Sequence, residues 1–224
     1  MTDLQTAHET VFAALGSARI VPVIDLPSPD LAEPLAEALL AAGGRVAELT
    51  LRSEFAHASL AAFVAAAERL GAGPDGEPLL VGAGTVLGSE DLLRAAGSGA
   101  AFAISPGSTP RLRNAAVEGG IAWVPGIATP SEAMTVLEEG FGLAKLFPAE
   151  PLGGISAVKS LLAPLAFHGL KLMPTGGITA ASAPGYLAIP GVVAVGGSWM
   201  VAKELLDAGD WASVTERMRT ALAS

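Results

Sequence analysis

Residues 21–30 read VPVIDLPSPD, a short apolar run that breaks at Asp25 and gives way to prolines and helix-capping residues. A doubly wound open sheet that binds a dinucleotide usually carries a glycine-rich fingerprint here, in the loop after its first strand, because the backbone must approach a pyrophosphate. This loop contains no glycine. The stretch therefore favours the other common way of alternating strands and helices, a parallel barrel, with the open sheet as the alternative.

Working outward, IVPVID is the first of eight apolar runs, followed by RVAELTL, LLVGAGT, AAFAIS, IAWVPG, GLAKLF, LKLMPTGG and VVAVGGS. Their ends fall near residues 25, 50, 84, 104, 125, 147, 174 and 196. Those intervals fit one strand, one helix and two loops, which is the spacing of repeated βα units. The runs lack polar alternation, as strands covered on both faces do. Between them, SPDLAEPLAEALLAAGG (28–44) opens on Ser and Asp capping candidates and closes on a glycine pair, the punctuation of a helix. SEFAHASLAAFVAAAERLGAG (53–73) and GSEDLLRAAGSG (88–99) repeat the scheme. Eight units predict a (β/α)8 TIM barrel, a fold that takes about 250 residues as a rule. An extra N-terminal helix is predicted over residues 4–16 and another in DWASVTERMRTALAS (210–224), all within one domain spanning 1–224. LGAGPDGEP (70–78) reads as a surface loop entering the third strand.

Composition narrows the function. The chain has 13 Lys+Arg against 22 Asp+Glu, a net charge of −9, which repels nucleic acid and the anionic face of a membrane and predicts neither as a partner. Having no cysteine, it has no disulfide, thiolate nucleophile or Cys-ligated zinc. Residues 179–202 are uncharged, but Pro184, Pro190, Gly191, Gly196 and Gly197 break them into turn, helix, turn and strand rather than a membrane span. The start MTDLQTAHET has no apolar core of a signal peptide, which predicts a cytoplasmic protein. His8, His57 and His168 lack metal-ligand spacing, so no metal and no cofactor are expected. No Gly-x-Ser-x-Gly elbow is present, and Ser105 and Ser198 have no histidine placed to activate them.

In a barrel, reactive groups gather where strands end and βα loops begin. Lys145, one of only four lysines, lies near the end of the sixth run in GLAKLFPAE (142–150). An ammonium group surrounded by apolar residues is costly and sheds its proton more readily, which leaves a nucleophilic amine. The competing structural reading is a lysine snorkelling from a strand end to water. Lys171 starts its run at the opposite mouth, and Lys159 and Lys203 lie on predicted helices, so these three read as structural or surface charges. Glu48, Thr50 and Arg52 alternate through the end of the second run and would share one face at period two. An interior ion pair is the bland alternative, though such pairs seldom improve on apolar packing. Thr85 ends the third run. PTGGIT (174–179) and VGGSW (195–199) follow the seventh and eighth runs, the positions where many barrels bind phosphate on backbone N–H groups and the N-terminus of a short helix.

Taken in order, VPVI, AELTLRS, VGAGTVL, AISPG, VPGIATPSEAM, KLFPAE, PTGGI and VGGSWM resemble the 2-keto-3-deoxy-6-phosphogluconate (KDPG) aldolase and 4-hydroxy-2-oxoglutarate aldolase family over nearly the whole chain. The resemblance implies a homotrimeric class I aldolase that cleaves KDPG, a small 2-keto acid, to pyruvate and glyceraldehyde 3-phosphate. It implies Lys145 as the Schiff-base lysine, Glu48 as acid and base, and Arg52 with Thr85 as the holders of the substrate carboxylate. It further implies Pro106 and Phe147 in the pyruvyl pocket, and Gly176, Gly177, Gly197 and Ser198 around the phosphate. On that reading Arg52 is expected to help keep the amine neutral, and Glu48 to act partly through water, since direct contact would hold the ammonium charged. Three alternatives stay open: an aldolase for 2-keto-4-hydroxyglutarate or another 2-keto-3-deoxy sugar acid, a metal-free isomerase or synthase on a phosphate-binding barrel, and a non-catalytic ligand-binding barrel.

Overall fold

The computed structural model describes residues 3–224, with side-chain surroundings from Thr6 onward, so Met1 and Thr2 of the N-terminal reading lie outside the described residues. The strands are β1 (Ile20–Ile24), β2 (Val46–Thr50), β3 (Leu80–Gly84), β4 (Phe102–Ile104), β5 (Ala122–Val124), β6 (Gly126–Ile127), β7 (Leu143–Leu146), β8 (Lys171–Pro174) and β9 (Val195–Gly197). Around them run α1 (Asp3–Ala18), α2 (Ala32–Ala41), α3 (Ala56–Leu70), α4 (Ser89–Gly97), α5 (Pro110–Gly119), α6 (Pro130–Glu138), α7 (Gly154–Leu165), α8 (Ala183–Leu187), α9 (Lys203–Ala208) and α10 (Trp211–Leu222).

All strand pairs within the sheets are parallel, in the orders β5-β4-β3-β2-β1-β9 and β6-β7-β8. The sheet is curled and parallel, and the single ladder of eight expected from the sequence is replaced by these two. Two breaks account for this: Pro125, with no N–H to give a ladder, divides IAWVPG between β5 and β6, and the β8 and β9 region is joined only by isolated bridges. The uncharged 179–202 segment does contain a short helix and a buried strand, α8 and β9, and no described helix is long and apolar enough to cross a membrane.

Side chains alternate between two apolar clusters. Ile24, Ala47, Leu49, Ala144, Leu146 and Leu172 meet the surrounding helices in one. Val21, Val46, Phe102, Ile104, Val124, Leu143 and Met173 meet one another in the second. This two-faced burial explains why the runs read as continuously apolar. Val11, Leu15 and Ala18 bring α1 against the second cluster, so the expected extra helix is present and packs against β5, β1 and β2.

The helices start and stop for local reasons. Thr129 and Glu132 form a reciprocal capping box at α6, and Asp210 caps α10 by accepting from the Ser213 N–H. On α2, Leu35 and Leu39 are fully buried, four residues apart on one stripe, each contributing about 2 kcal/mol. The 70–78 segment forms an exposed turn closed by an Ala72–Pro78 bridge and tied down by the Arg45–Asp75 ion pair. Because the strands are parallel, the loops after β1, β2, β3, β4, β7, β8 and β9 all leave from one end of the sheet.

Candidate active site

Alternation decides which strand residues face inward. On β2, Val46 belongs to the inner cluster, so Glu48 and Thr50 follow it on the same face. On β7, Leu143 is inner and Lys145 follows. The two elements carry residues 97 apart in sequence to one place, where Lys145 Nζ donates to Glu48 Oε1 at 2.9 Å. Both are buried, Lys145 at 4% exposure and Glu48 at 0%, so the lysine does not snorkel to water. Nζ also lies 5.4 Å from the centre of the Phe147 ring, within range of a cation–π contact.

Glu48 thus reaches the amine directly, closer than the sequence reading expects. Arg52 lies at the same end of the sheet. It stands two residues beyond β2, past the Leu51 N–H that donates to the Gly84 carbonyl, and is half-exposed. Its acidic partner is Asp25, at 3.8 Å. Thr50 donates to the Ile24 carbonyl and reads as structural.

Thr85 lies just past β3 with φ at +58°, a conformation uncommon for a residue with a branched side chain and one that tends to persist at functional positions. Pro106 follows β4 and Phe147 follows β7, both half-buried at the same end of the sheet. Gly176 and Gly177 both have positive φ, at +104° and +80°, and carry no side chain of their own. Gly197 is pressed against the Trp199 ring, and Ser198 beside it is exposed. The expected helical N-terminus is here a single 3₁₀ turn, Trp199–Val201, so backbone N–H groups rather than a helix dipole are what this loop offers.

Ser105 is buried and engaged, donating to the Gly107 carbonyl and accepting from Trp123 Nε1 at 3.0 Å, which accounts for it structurally. His57 faces Asp91, and His8 accepts from the Trp123 N–H, so these two have structural partners. Among the described residues no cluster of three metal-ligating side chains occurs. Two buried oxygens do lack partners, Glu48 Oε2 and Thr175 Oγ1. Thr175 was missed by the sequence reading. It follows Met173 by two and therefore shares the inner face with Lys145 and Glu48, a parity that PTGGIT already contained.

A cavity of about 700 Å³ lies elsewhere, lined by Phe12, Trp123, Phe141 and Leu143 near α1 and not by the reactive pair. Chemistry follows the titratable groups, not the volume. Gly84 shows how tightly that chemistry is housed, because a Cβ there would overlap the Glu48 carboxylate. Gly84→Ala is expected to lower kcat/KM about 10²-fold by displacing Glu48, the usual cost of an ångström-scale misplacement. Steady-state kinetics beside Gly97→Ala, a site with open space around it, checks this.

A buried amine in contact with a carboxylate, at the loop-bearing end of a parallel α/β sheet, defines an enzyme equipped for imine chemistry. The family model for KDPG and KHG aldolase matches residues 11–217. The KHG/KDPG aldolase of Escherichia coli K12 is 40% identical over 222 residues, 99% of this chain and 98% of that protein. The 2-dehydro-3-deoxy-phosphogluconate aldolase of Pseudoalteromonas atlantica is 41% identical over 204 residues, 91% and 90% of the two chains. Among solved structures, KDPG aldolase from Legionella pneumophila, with pyruvate captured as a covalent carbinolamine, superposes with a TM-score of 0.85 at 36% identity, covering 94% of this chain and 97% of that one. The KDPG aldolase of Zymomonas mobilis ZM4 with 3-phosphoglycerate gives 0.84 at 36% identity and 96% coverage of both. The chain belongs to the KDPG and KHG aldolase family.

Proposed function

We propose that this chain is a class I aldolase that cleaves 2-keto-3-deoxy-6-phosphogluconate to pyruvate and glyceraldehyde 3-phosphate through a Schiff base on Lys145. The observation that carries the reading is the buried contact of 2.9 Å between Lys145 and Glu48. Relatives named as 2-dehydro-3-deoxy-phosphogluconate aldolases support the substrate class.

Lys145 passes its proton to Glu48, and the neutral amine adds to the substrate's C2 ketone. Glu48 returns that proton to the carbinolamine hydroxyl, which leaves as water to give an iminium ion and restores the carboxylate. Glu48 takes the proton of the C4 hydroxyl, the C3–C4 bond breaks, and its electron pair moves into the iminium as an enamine. Glyceraldehyde 3-phosphate leaves as the aldehyde. Glu48 returns its proton to C3, and water hydrolyses the imine to release pyruvate and the free amine.

Arg52 takes the planar carboxylate bidentately, assisted by Thr85. To do so it leaves Asp25, which costs little, since an exposed ion pair of this kind contributes at most about 1 kcal/mol. Pro106 and Phe147 bound the pyruvyl group. The Gly176–Gly177 and Gly197–Ser198 turns receive the phosphate, whose binding energy orients the reacting carbons.

The scaffold for this chemistry is one domain over 1–224, a (β/α)8 barrel in which β5 and β6 are one strand interrupted at Pro125. The Leu172–Val192 and Thr175–Gly196 bridges support closure between β8 and β9. A cytoplasmic homotrimer completes the reading, and sedimentation of the purified chain tests its assembly.

Pyruvate release is the assay for the substrate. The kcat/KM for KDPG is expected to exceed that for unphosphorylated 2-keto-3-deoxygluconate about 10²-fold or more, as loss of a charged anchor predicts. Equal values would remove the phosphate assignment, and faster turnover of 4-hydroxy-2-oxoglutarate would move the main substrate there.

A further inference from the structure

The loop after β7 and the loop after β8 are joined by a side chain that the chemistry above does not use. The Glu150 N–H donates to the Gly176 carbonyl at 3.0 Å, and the Ala149 N–H to the Thr175 carbonyl at 2.8 Å. The Glu150 side chain then runs across Gly177 so closely that a Cβ there would stand 2.7 Å from Glu150 Cβ. Its far end passes Gly154, where a Cβ would stand 3.2 Å from Oε2. It ends at Tyr186 on α8, whose hydroxyl donates to Oε1 at 2.9 Å. Gly177 and Gly154, at φ +80° and +63°, give way on both sides of one carboxylate.

Glu150 itself is exposed, whereas Tyr186 is fully buried beneath it. Burial first, and then the neighbouring carboxylate, hold the Tyr186 hydroxyl well above the usual phenol range, so it remains a donor. The other side of the same turn is also fixed, with a Cβ on Gly176 standing 3.1 Å from Pro148 and 3.2 Å from the Phe147 ring. The glycine turn is thus seated between Phe147, which borders Lys145, and Glu150, which is anchored to α8.

We infer that Glu150, held by Tyr186, is a positioning residue that sets the Gly176–Gly177 turn at the height from Lys145 required by a substrate with a distal phosphate. This rests on the phosphate assignment proposed above. A carboxylate would be a poor direct ligand for phosphate, and tying it to a phenol directs it away from that role.

The test is kinetic. Glu150→Ala and Tyr186→Phe are expected to raise KM for KDPG about tenfold, the effect of losing one half-buried hydrogen bond to a charged group that fixes geometry. They are expected to leave kcat, the parameters for 2-keto-3-deoxygluconate and imine trapping by pyruvate unchanged. Glu150→Gln keeps an acceptor for the phenol and should restore the wild-type KM. If KM rises equally for both substrates, or does not rise in either variant, the inference is overturned. Tyr186→Phe removes a single oxygen and so reports even if Glu150→Ala folds poorly. Should the wild type itself show no preference for the phosphorylated substrate, the phosphate assignment falls and this inference with it. A strong preference that ignores both variants sinks the inference alone.

Discussion

Borohydride added to the protein with pyruvate is expected to leave a stable adduct on Lys145, found as a mass increase on the peptide containing GLAKLFPAE, while Lys145→Arg forms none. The same variant is expected to lose at least about 10⁴-fold in kcat, the scale on which removal of a covalent nucleophile acts. Arginine keeps a cation beside Glu48 and so separates electrostatics from nucleophilicity. Its guanidinium stays protonated and cannot attack a ketone. An adduct on Lys159, Lys171 or Lys203, or turnover in Lys145→Arg near the wild-type rate, would move the chemistry elsewhere. The geometry argues against that: Lys171 starts β8 at the far end of the sheet, and Lys203 is exposed and paired with Asp207 at 2.6 Å.

Glu48→Gln is the second large effect, expected to lower kcat about 10²- to 10⁴-fold, the range of a positioned acid–base group. Glutamine nearly preserves the volume that Gly84 leaves open and retains an oxygen for the Lys145 amine. What it cannot do is accept and return a proton. Borohydride trapping with pyruvate should therefore survive, slowly, while cleavage of KDPG and exchange of the pyruvate methyl protons with solvent both fall together. Loss of cleavage with exchange intact would assign the C4 proton to Glu48 and the C3 proton to another group. Thr175, whose buried hydroxyl has no partner, would then be the next residue to vary.

Much of this was legible in the chain before folding. Lys145 stands out because one charge interrupts an apolar run near its end, whereas Lys171 opens its run. The fifth strand read as one run, yet Pro125 divides it, since a missing N–H matters only once a neighbouring strand asks for it. Arg52 stands two residues past β2 and meets Asp25 there. The end of a strand is set by its partner, here Gly84 on β3, and not by its own sequence. Asp25, the partner of Arg52, closes the first run, and no local pattern links residues 25 and 52.

The sequence by itself determined the alternation of strands and helices, the face each strand residue takes and the family to which the motifs belong, because these follow from periods of two and 3.6 and from short punctuated motifs. Only the tertiary structure decided that Glu48 touches Lys145 directly, that Thr175 is left without a partner, and that Glu150 crosses the glycine turn to reach Tyr186. Those facts depend on curvature and on the packing of strands far apart in the chain, which no local period encodes.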